Sequence, residues 1–389
     1  MASEIDKTKI LEFVGETAPD NLQQMAGTII AMIDLASSTY IRGLSDENRD
    51  VMTSVRHDLE NVAFFRAFDM DRPRFGLTPQ EIDWLHRHAQ DLWLDYLIHR
   101  YKFKLYPVQQ KLTDFPPHLL IEPTSICNLR CIMCFQSDKS FSSDRQFMGM
   151  MSWNLFCSVV DQAAESGCNA ITLASRGEPT IHKKFGNMVA YLHEKKILDT
   201  KVNTNATRLS EKTAHDILAA DISTVVFSVD ASTKESYERI RVGGKFDQVL
   251  RNVERFNEIR QTDYPGSGTT TRISGVAVEG TQDPEEMREF WSNYVDQVTI
   301  GQEMPLADSY ARVPVASSSV CRRLYESLYV WFDGVCNPCD FDYKSLLSPG
   351  NAKEQSITDI WLGKKFSRLR ELHEARMRAS LVPCDRCPL

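Results

Sequence analysis

The chain has 389 residues, 42% hydrophobic and 25% charged, with a formal net charge of −8. That length exceeds one ordinary domain and suffices for a sizeable core. The acidic balance gives no electrostatic basis for nucleic acid or an anionic membrane surface as partner.

"MASEIDKTKI" lacks the basic and apolar regions of a secretory leader, and the apolar run "MAGTIIAMIDLA" is short and broken by Asp34. No membrane span is expected, and the expected location is cytoplasmic. Ten cysteines in a reducing compartment are not expected to form disulfides. Residues 1–110 read as a helical N-terminal region. In "LTPQEIDWLHRHAQDLWLDYLIHRYKF", Thr78 is an N-cap, Pro79 takes N1 and Glu81 at N3 closes a capping box. Ile82, Leu85, Leu92, Tyr96 and Ile98 then form an apolar face. His86, His88 and His99 make no adjacent pair on one face, so they are expected as solvated or cap-like histidines. "DMDRPRF", 69–75, reads as a turn, and the Pro-rich "PVQQKLTDFPPHL" as a linker.

From His118 strands and helices alternate. Strands are expected in "HLLIEP", "AITLAS", "TKVNTN", "TVVFSVD", "RISGVAV" and "QVTIG", with helices over 153–166, 181–195, 210–220, 246–260 and 283–294. Strands this apolar, with helices between them, imply a parallel sheet covered on its outer face. The fold class is therefore α/β: a partial (β/α)6 TIM-like barrel over 118–302, with the helical region before it and a small cysteine-rich domain over 318–389. In such sheets chemistry sits at the carboxyl ends of the strands. Further on, "YVWFDGVCNPCDFDY" predicts a hairpin turning at Asp333-Gly334. "SITDIWLGKKFSRLRELHEARMRAS" predicts a helix with Ser356 as N-cap and Asp359 at N3. Trp331 and Trp361 are expected in the core.

Cys127, Cys131 and Cys134, spaced C-x3-C-x2-C, stand just past the first strand. A structural zinc wants four closed ligands; three thiolates leave a position open, as in a four-iron cluster with one free iron. "IEPTSICNLRCIMCFQSD" resembles the cluster loop of radical S-adenosylmethionine (SAM) enzymes. That resemblance makes Cys127, Cys131 and Cys134 ligands of a SAM-binding [4Fe-4S] cluster, whose reduction cleaves SAM to a 5′-deoxyadenosyl radical that abstracts hydrogen. "SRGEP" is similar to the family's GGEP segment, which assigns Ser175, Arg176, Gly177 and Glu178 to SAM, with Glu178 receiving the amino group. By the same resemblance Asn205, Ser228 and Asp230 hold the ribose and carboxylate, Arg241 is a carboxylate partner, and Val276 in "ISGVAV" packs with Met133 against adenine. A flavodoxin or ferredoxin-type reductant is implied.

Cys336-x2-Cys339 and Cys384-x2-Cys387 could form a zinc ribbon on their own. With Cys321 upstream, and "DGVCNPC", "ITDIW" and "CDRC" in order, this region resembles the SPASM/twitch-type tail of radical SAM enzymes. The resemblance makes Cys321, Cys339, Cys384 and Cys387 ligands of one auxiliary [4Fe-4S] cluster and leaves Cys336 as packing or a substitute ligand. Cys157 and Cys168 read as buried inert thiols. The spacing is also similar to the twitch-type dehydrogenase of amino-inositols. The implied substrate is a small polar molecule (a sugar, nucleotide-sugar or cyclitol), with dehydrogenation, deamination, dehydration or epimerisation as outcomes. The alternative is a maturase that crosslinks peptides. No general base is named; Lys139, Asp144 and Arg145 follow the cluster loop.

Overall fold

Alternating outward apolar side chains set the architecture: Val202, Val225, Phe227, Ile273 and Val298 all enter one core beneath a layer of helices. The computed structural model describes residues 19–35, 43–61, 74–278, 283–303, 306–315 and 319–388. The expected turn at 69–75 lies largely outside them. The strands are β1 (His118–Ile121), β2 (Ala170–Leu173), β3 (Asp199–Thr204), β4 (Thr224–Ser228), β5 (Thr270–Ala277), β6 (Gln297–Gln302), β7 (Ser327–Val330), β8 (Val335–Asn337) and β9 (Gly350–Asn351). They form one sheet ordered β6-β5-β4-β3-β2-β1-β7-β8-β9, parallel from β6 through β7.

Among the described residues, four α-helices precede the sheet: α1 (Pro19–Leu35), α2 (Asp46–Asn61), α3 (Pro79–Arg87) and α4 (Trp93–Leu105). They share a core of their own that includes Ile29, Val55, Ile82, Leu85 and Leu97. The capping box forms, with Glu81 N–H donating to Thr78 Oγ1 at 3.3 Å and Thr78 N–H to Glu81 Oε2 at 2.7 Å. Glu81, buried, also pairs with Arg100 at 2.7 Å and Lys104 at 2.9 Å, so the cap anchors α3 to α4. The single helix expected here is two. His88 turns extended after α3 and its ring stacks on Trp84 at 3.9 Å, with Nδ1 2.7 Å from Trp84 O. Leu92, in the intervening 3-10 turn, is exposed rather than on the apolar face, and His99 is buried rather than solvated. These helices close the amino ends of the later strands: Asp83 Oδ2 accepts from Thr270 and Gln297, both at 3.1 Å.

The covering helices are α5 (Trp153–Glu165), α6 (Phe185–Glu194), α7 (Glu211–Ala219), α8 (Lys234–Ile240), α9 (Phe246–Asp263) and α10 (Pro284–Ser292). Of these α8 was not anticipated; Thr233 caps it through Ser236 N–H at 3.4 Å. The expected hairpin forms as β7 and β8, but β7 also pairs in parallel with β1, from His118 opposite Ser327 to Ile121 opposite Val330. The C-terminal domain thus covers what would otherwise be the barrel's open edge. The long C-terminal helix is likewise two, α11 (Ile357–Trp361) and α12 (Lys364–Glu374). Ser356 caps α11 through Asp359 N–H at 3.0 Å, and Gly363 breaks the run where a Cβ would stand 2.4 Å from Asp359 O. Trp331 and Trp361 are both fully enclosed. Among the described residues, no helix is long and apolar enough to cross a membrane.

Candidate active site at the mouth of the barrel

The residues that alternate with the outward apolar set face the lumen. Register places Ser228 beside Ser274, and Ser274 beside Thr299, while Asn203 lies on β3 among them. Asn203 Oδ1 and Thr299 Oγ1 are buried without a hydrogen-bond partner.

At the carboxyl end of β1 the chain turns into the loop that carries Cys127, Cys131 and Cys134. Backbone bonds from Arg130 to Val242 O (2.9 Å) and Ile132 to Ile240 O (3.1 Å) fix that loop to the end of α8. Amides point at the sulfurs: Leu129 N–H to Cys127 Sγ and Gln136 N–H to Cys134 Sγ, both at 3.5 Å. Asn205 Nδ2 lies 3.9 Å from Cys127 Sγ. Burial pushes the Cys127 thiol up to about 11 and Cys134 up to about 12, and raises Cys131. A bound metal centre would displace the thiol protons, and the amides aimed at the sulfurs would stabilise the resulting thiolates. The donor set therefore fits a thiolate-bound cluster.

The 175–178 segment packs directly on this loop. A Cβ on Gly177 would stand 2.2 Å from Thr124 O and 2.6 Å from Ile126 O, so only glycine allows the approach. Ser175 holds φ of 104°, unusual for a residue with a side chain, and its Oγ is buried without a partner. Glu178, 2% exposed, accepts from Thr180 N–H (3.1 Å), Thr180 Oγ1 (2.6 Å) and Thr204 Oγ1 (2.7 Å) on Oε1. Only Asn205 N–H, at 2.7 Å, reaches Oε2, which keeps an acceptor site open. Burial pushes the Glu178 carboxyl up against these donors. Arg176 turns its guanidinium away, onto Glu122 at the end of β1.

Asp230 and Arg241 meet as an ion pair, and Val276 N–H donates to Asp230 Oδ1 at 2.9 Å. Asn205 Oδ1 accepts from Thr207, and its Nδ2 donates to Asn128 Oδ1 at 3.2 Å. Met133, Ser228 and Val276 are half-buried. Asp144 is taken up in capping Gln146 at 3.0 Å, and Lys139 and Arg145 remain on the exposed side of the loop.

In the C-terminal domain Cys321, Cys339, Cys384 and Cys387 line one cavity, together with Arg323 and Arg378. Burial raises Cys321, Cys339 and Cys384. Arg378 donates to Cys384 O at 2.9 Å and Cys387 O at 2.7 Å, holding the closing pair in place. Four thiols lining one cavity beside two guanidinium groups suit an anionic tetrathiolate cluster. Cys336 is elsewhere: it is fully buried in the main core, with its thiol 3.6 Å from Gly334 O. Cys168 is buried and Cys157 half-buried. Sequence reasoning missed Glu122, Arg323 and Arg378. An acid directly after an apolar strand was the one available signal for Glu122.

A polar cavity of about 350 Å³ opens between the cluster loop and the C-terminal domain, lined by Ser137, Asp138, Ser140, Tyr310, Tyr343 and Lys344 among others.

Residues 121–304 match the Radical SAM superfamily, and residues 321–388 match SPASM, an iron–sulfur cluster-binding domain. A Pyrococcus furiosus protein, the tungsten-containing aldehyde ferredoxin oxidoreductase cofactor-modifying protein, is 24% identical over 323 residues, 69% of this chain and 87% of its own length. The mycofactocin maturase MftC of Mycolicibacterium smegmatis is 27% identical over 159 residues, 41% of this chain and 39% of its own. Streptococcus suis SuiB, solved bound to the precursor peptide SuiA, shares the fold with a TM-score of 0.51 and 15% identity, over 84% of each chain.

Proposed function

Because the chain is a radical SAM enzyme with a C-terminal SPASM-type iron–sulfur domain, we propose that it abstracts hydrogen from a small polar substrate: a sugar, nucleotide-sugar or cyclitol. Bound at Cys127, Cys131 and Cys134, a four-iron cluster with SAM supplies the one-electron chemistry. Glu178 receives the SAM ammonium through its open Oε2. Gly177 and the backbone of Ser175 and Arg176 shape the methionine cradle. Asn205, Ser228 and the Asp230–Arg241 pair hold ribose and carboxylate, and Val276 with Met133 flanks adenine. Cys321, Cys339, Cys384 and Cys387 would hold a single auxiliary cluster, which would supply an electron acceptor, and a flavodoxin or ferredoxin-type protein would be the reductant. The described helices between Pro19 and Leu105 form a helical region against the base of a barrel spanning 118–302, followed by an auxiliary domain from 319 onward.

The observation that carries the substrate reading is the cavity between the cluster loop and the auxiliary domain. Its hydroxyls, its phenols and the Asp138–Lys344 pair at 2.8 Å suit a polyol of monosaccharide size. Peptide crosslinking is the second reading, supported by the partial likeness to MftC.

The test is anaerobic reconstitution, iron and zinc analysis, then measurement of 5′-deoxyadenosine release with sugar and cyclitol alcohols against peptides. About eight irons per chain without zinc, and release that depends on a polyol, are expected. Release with peptides alone would overturn the substrate reading. Four irons plus zinc would remove the electron acceptor.

A further inference from the structure

Arg176 stands within a segment whose neighbours shape the mouth of the barrel, yet its side chain leaves that mouth. Its Nε donates to Glu122 Oε2 at 2.6 Å and its Nη2 to Glu122 Oε1 at 2.7 Å, a two-pronged pair. Arg176 N–H also donates to Glu122 Oε2 at 3.2 Å, so one carboxylate fixes both backbone and side chain. The pair is enclosed, with Arg176 2% and Glu122 0% exposed.

The pair also reaches the C-terminal domain, and its guanidinium faces Phe141 beyond the cluster loop, 5.4 Å from the ring centroid. Arg176 Nη1 donates to Tyr343 O at 2.9 Å, and Phe332 N–H donates to Glu122 Oε1 at 3.2 Å. The guanidinium lies over Trp331, 4.3 Å from the ring centroid. From the opposite side the cluster loop closes the arrangement: Gln136 Nε2 donates to Arg176 O at 2.5 Å and to Ser125 O at 2.8 Å. One guanidinium therefore joins β1, the 175–178 segment and the auxiliary domain, with Gln136 linking the cluster loop to the same residue. An arginine is needed because lysine offers neither the planar fork nor the stacking face.

We infer that Arg176 is a positioning residue through which docking of the auxiliary domain sets SAM affinity at the barrel mouth. This rests on the reading that residues 175–178 face SAM. Ser175 is held in a backbone conformation it would not choose, and Gly177 is pressed onto the cluster loop. Loosening Arg176 from the far side frees that segment to relax away from the geometry SAM requires. Trp331 then influences SAM binding although it belongs to the other domain.

The test uses the reconstituted full chain and the variants W331L, W331F, R176K and R176M. SAM is titrated against the electron paramagnetic resonance signal of the reduced N-terminal cluster, with iron content measured alongside. Amide exchange at residues 175–178 is followed in cluster-free protein. W331L and R176M are expected to raise the SAM concentration at half-response about tenfold or more at unchanged iron content, and to speed exchange of the Arg176 and Glu178 amides. W331F keeps an aromatic face and should retain the wild-type response; R176K should fall between. If R176M does not fold, the W331L and W331F comparison decides. Wild-type titration and exchange in W331L, or a SAM defect that merely tracks lost iron, would overturn the inference. A wild-type cluster signal unmoved by SAM would instead overturn the underlying reading of residues 175–178.

Discussion

Asp230 and Arg241 are bound to each other: the Arg241 guanidinium donates to Asp230 Oδ2 while Asp230 Oδ1 accepts from Val276 N–H. Three residues assigned separately to SAM thus form one unit that joins β4, β5 and the end of α8. Removing the buried carboxylate leaves a guanidinium that is only 13% exposed without that partner, and breaking a buried pair typically costs about 3–5 kcal/mol. D230A is expected to lose that much in denaturant unfolding of cluster-free protein, and the larger part should be absent in the D230A/R241M double variant.

G177A tests the contact between the 175–178 segment and the cluster loop. Its methyl group meets two backbone oxygens, which are not flexible side-chain ends. Overpacking of this kind costs about 1–3 kcal/mol. Because the displaced backbone leads directly to Cys127, reconstituted G177A should retain less iron at the N-terminal cluster, read by iron content and visible absorbance.

The cysteine roles separate cleanly by substitution. C339A should lose one cluster, about four irons, while C336A should keep full iron content and lose only a little stability through a small cavity. Iron loss in C336A would make Cys336 a ligand and contradict its place in the core.

Burial pushes His99 down to about 4 and His118 down to about 3, from an ordinary 6.5. Below pH 6.5 the unfolded chain binds protons that the folded chain refuses, so stability present above that pH is lost as pH falls towards these values. Each histidine contributes a slope of about 1.4 kcal/mol per pH unit within its window. The H99F variant should show a shallower decline in unfolding free energy between pH 6.5 and 4, measured by denaturant melts across that range.

Much of the architecture was legible because it is local. Strand alternation and helix periodicity are set by side chains a few residues apart, so six parallel strands, five of their covering helices and the Thr78–Glu81 cap could be read directly. The two cysteine groups were equally plain, since spacing alone separates a three-thiol loop from a paired-thiol tail. Where local signals competed, the reading failed: helical periodicity ran through His88 and Gly363, whose backbones turn extended and separate one helix from the next.

By itself the sequence determined the chemistry this chain carries: thiolates at metal-binding spacing, a glycine-acid segment after the second strand, and a parallel α/β frame to hold them. Tertiary structure alone decided how those parts are joined. Glu122 and Arg176 are 54 positions apart and Arg176 and Tyr343 are 167 apart. The pairing of β7 with β1 brings the chain's last domain onto its first strand. Such contacts depend on the whole chain having packed, because a buried charge finds its partner only after water has been excluded from both.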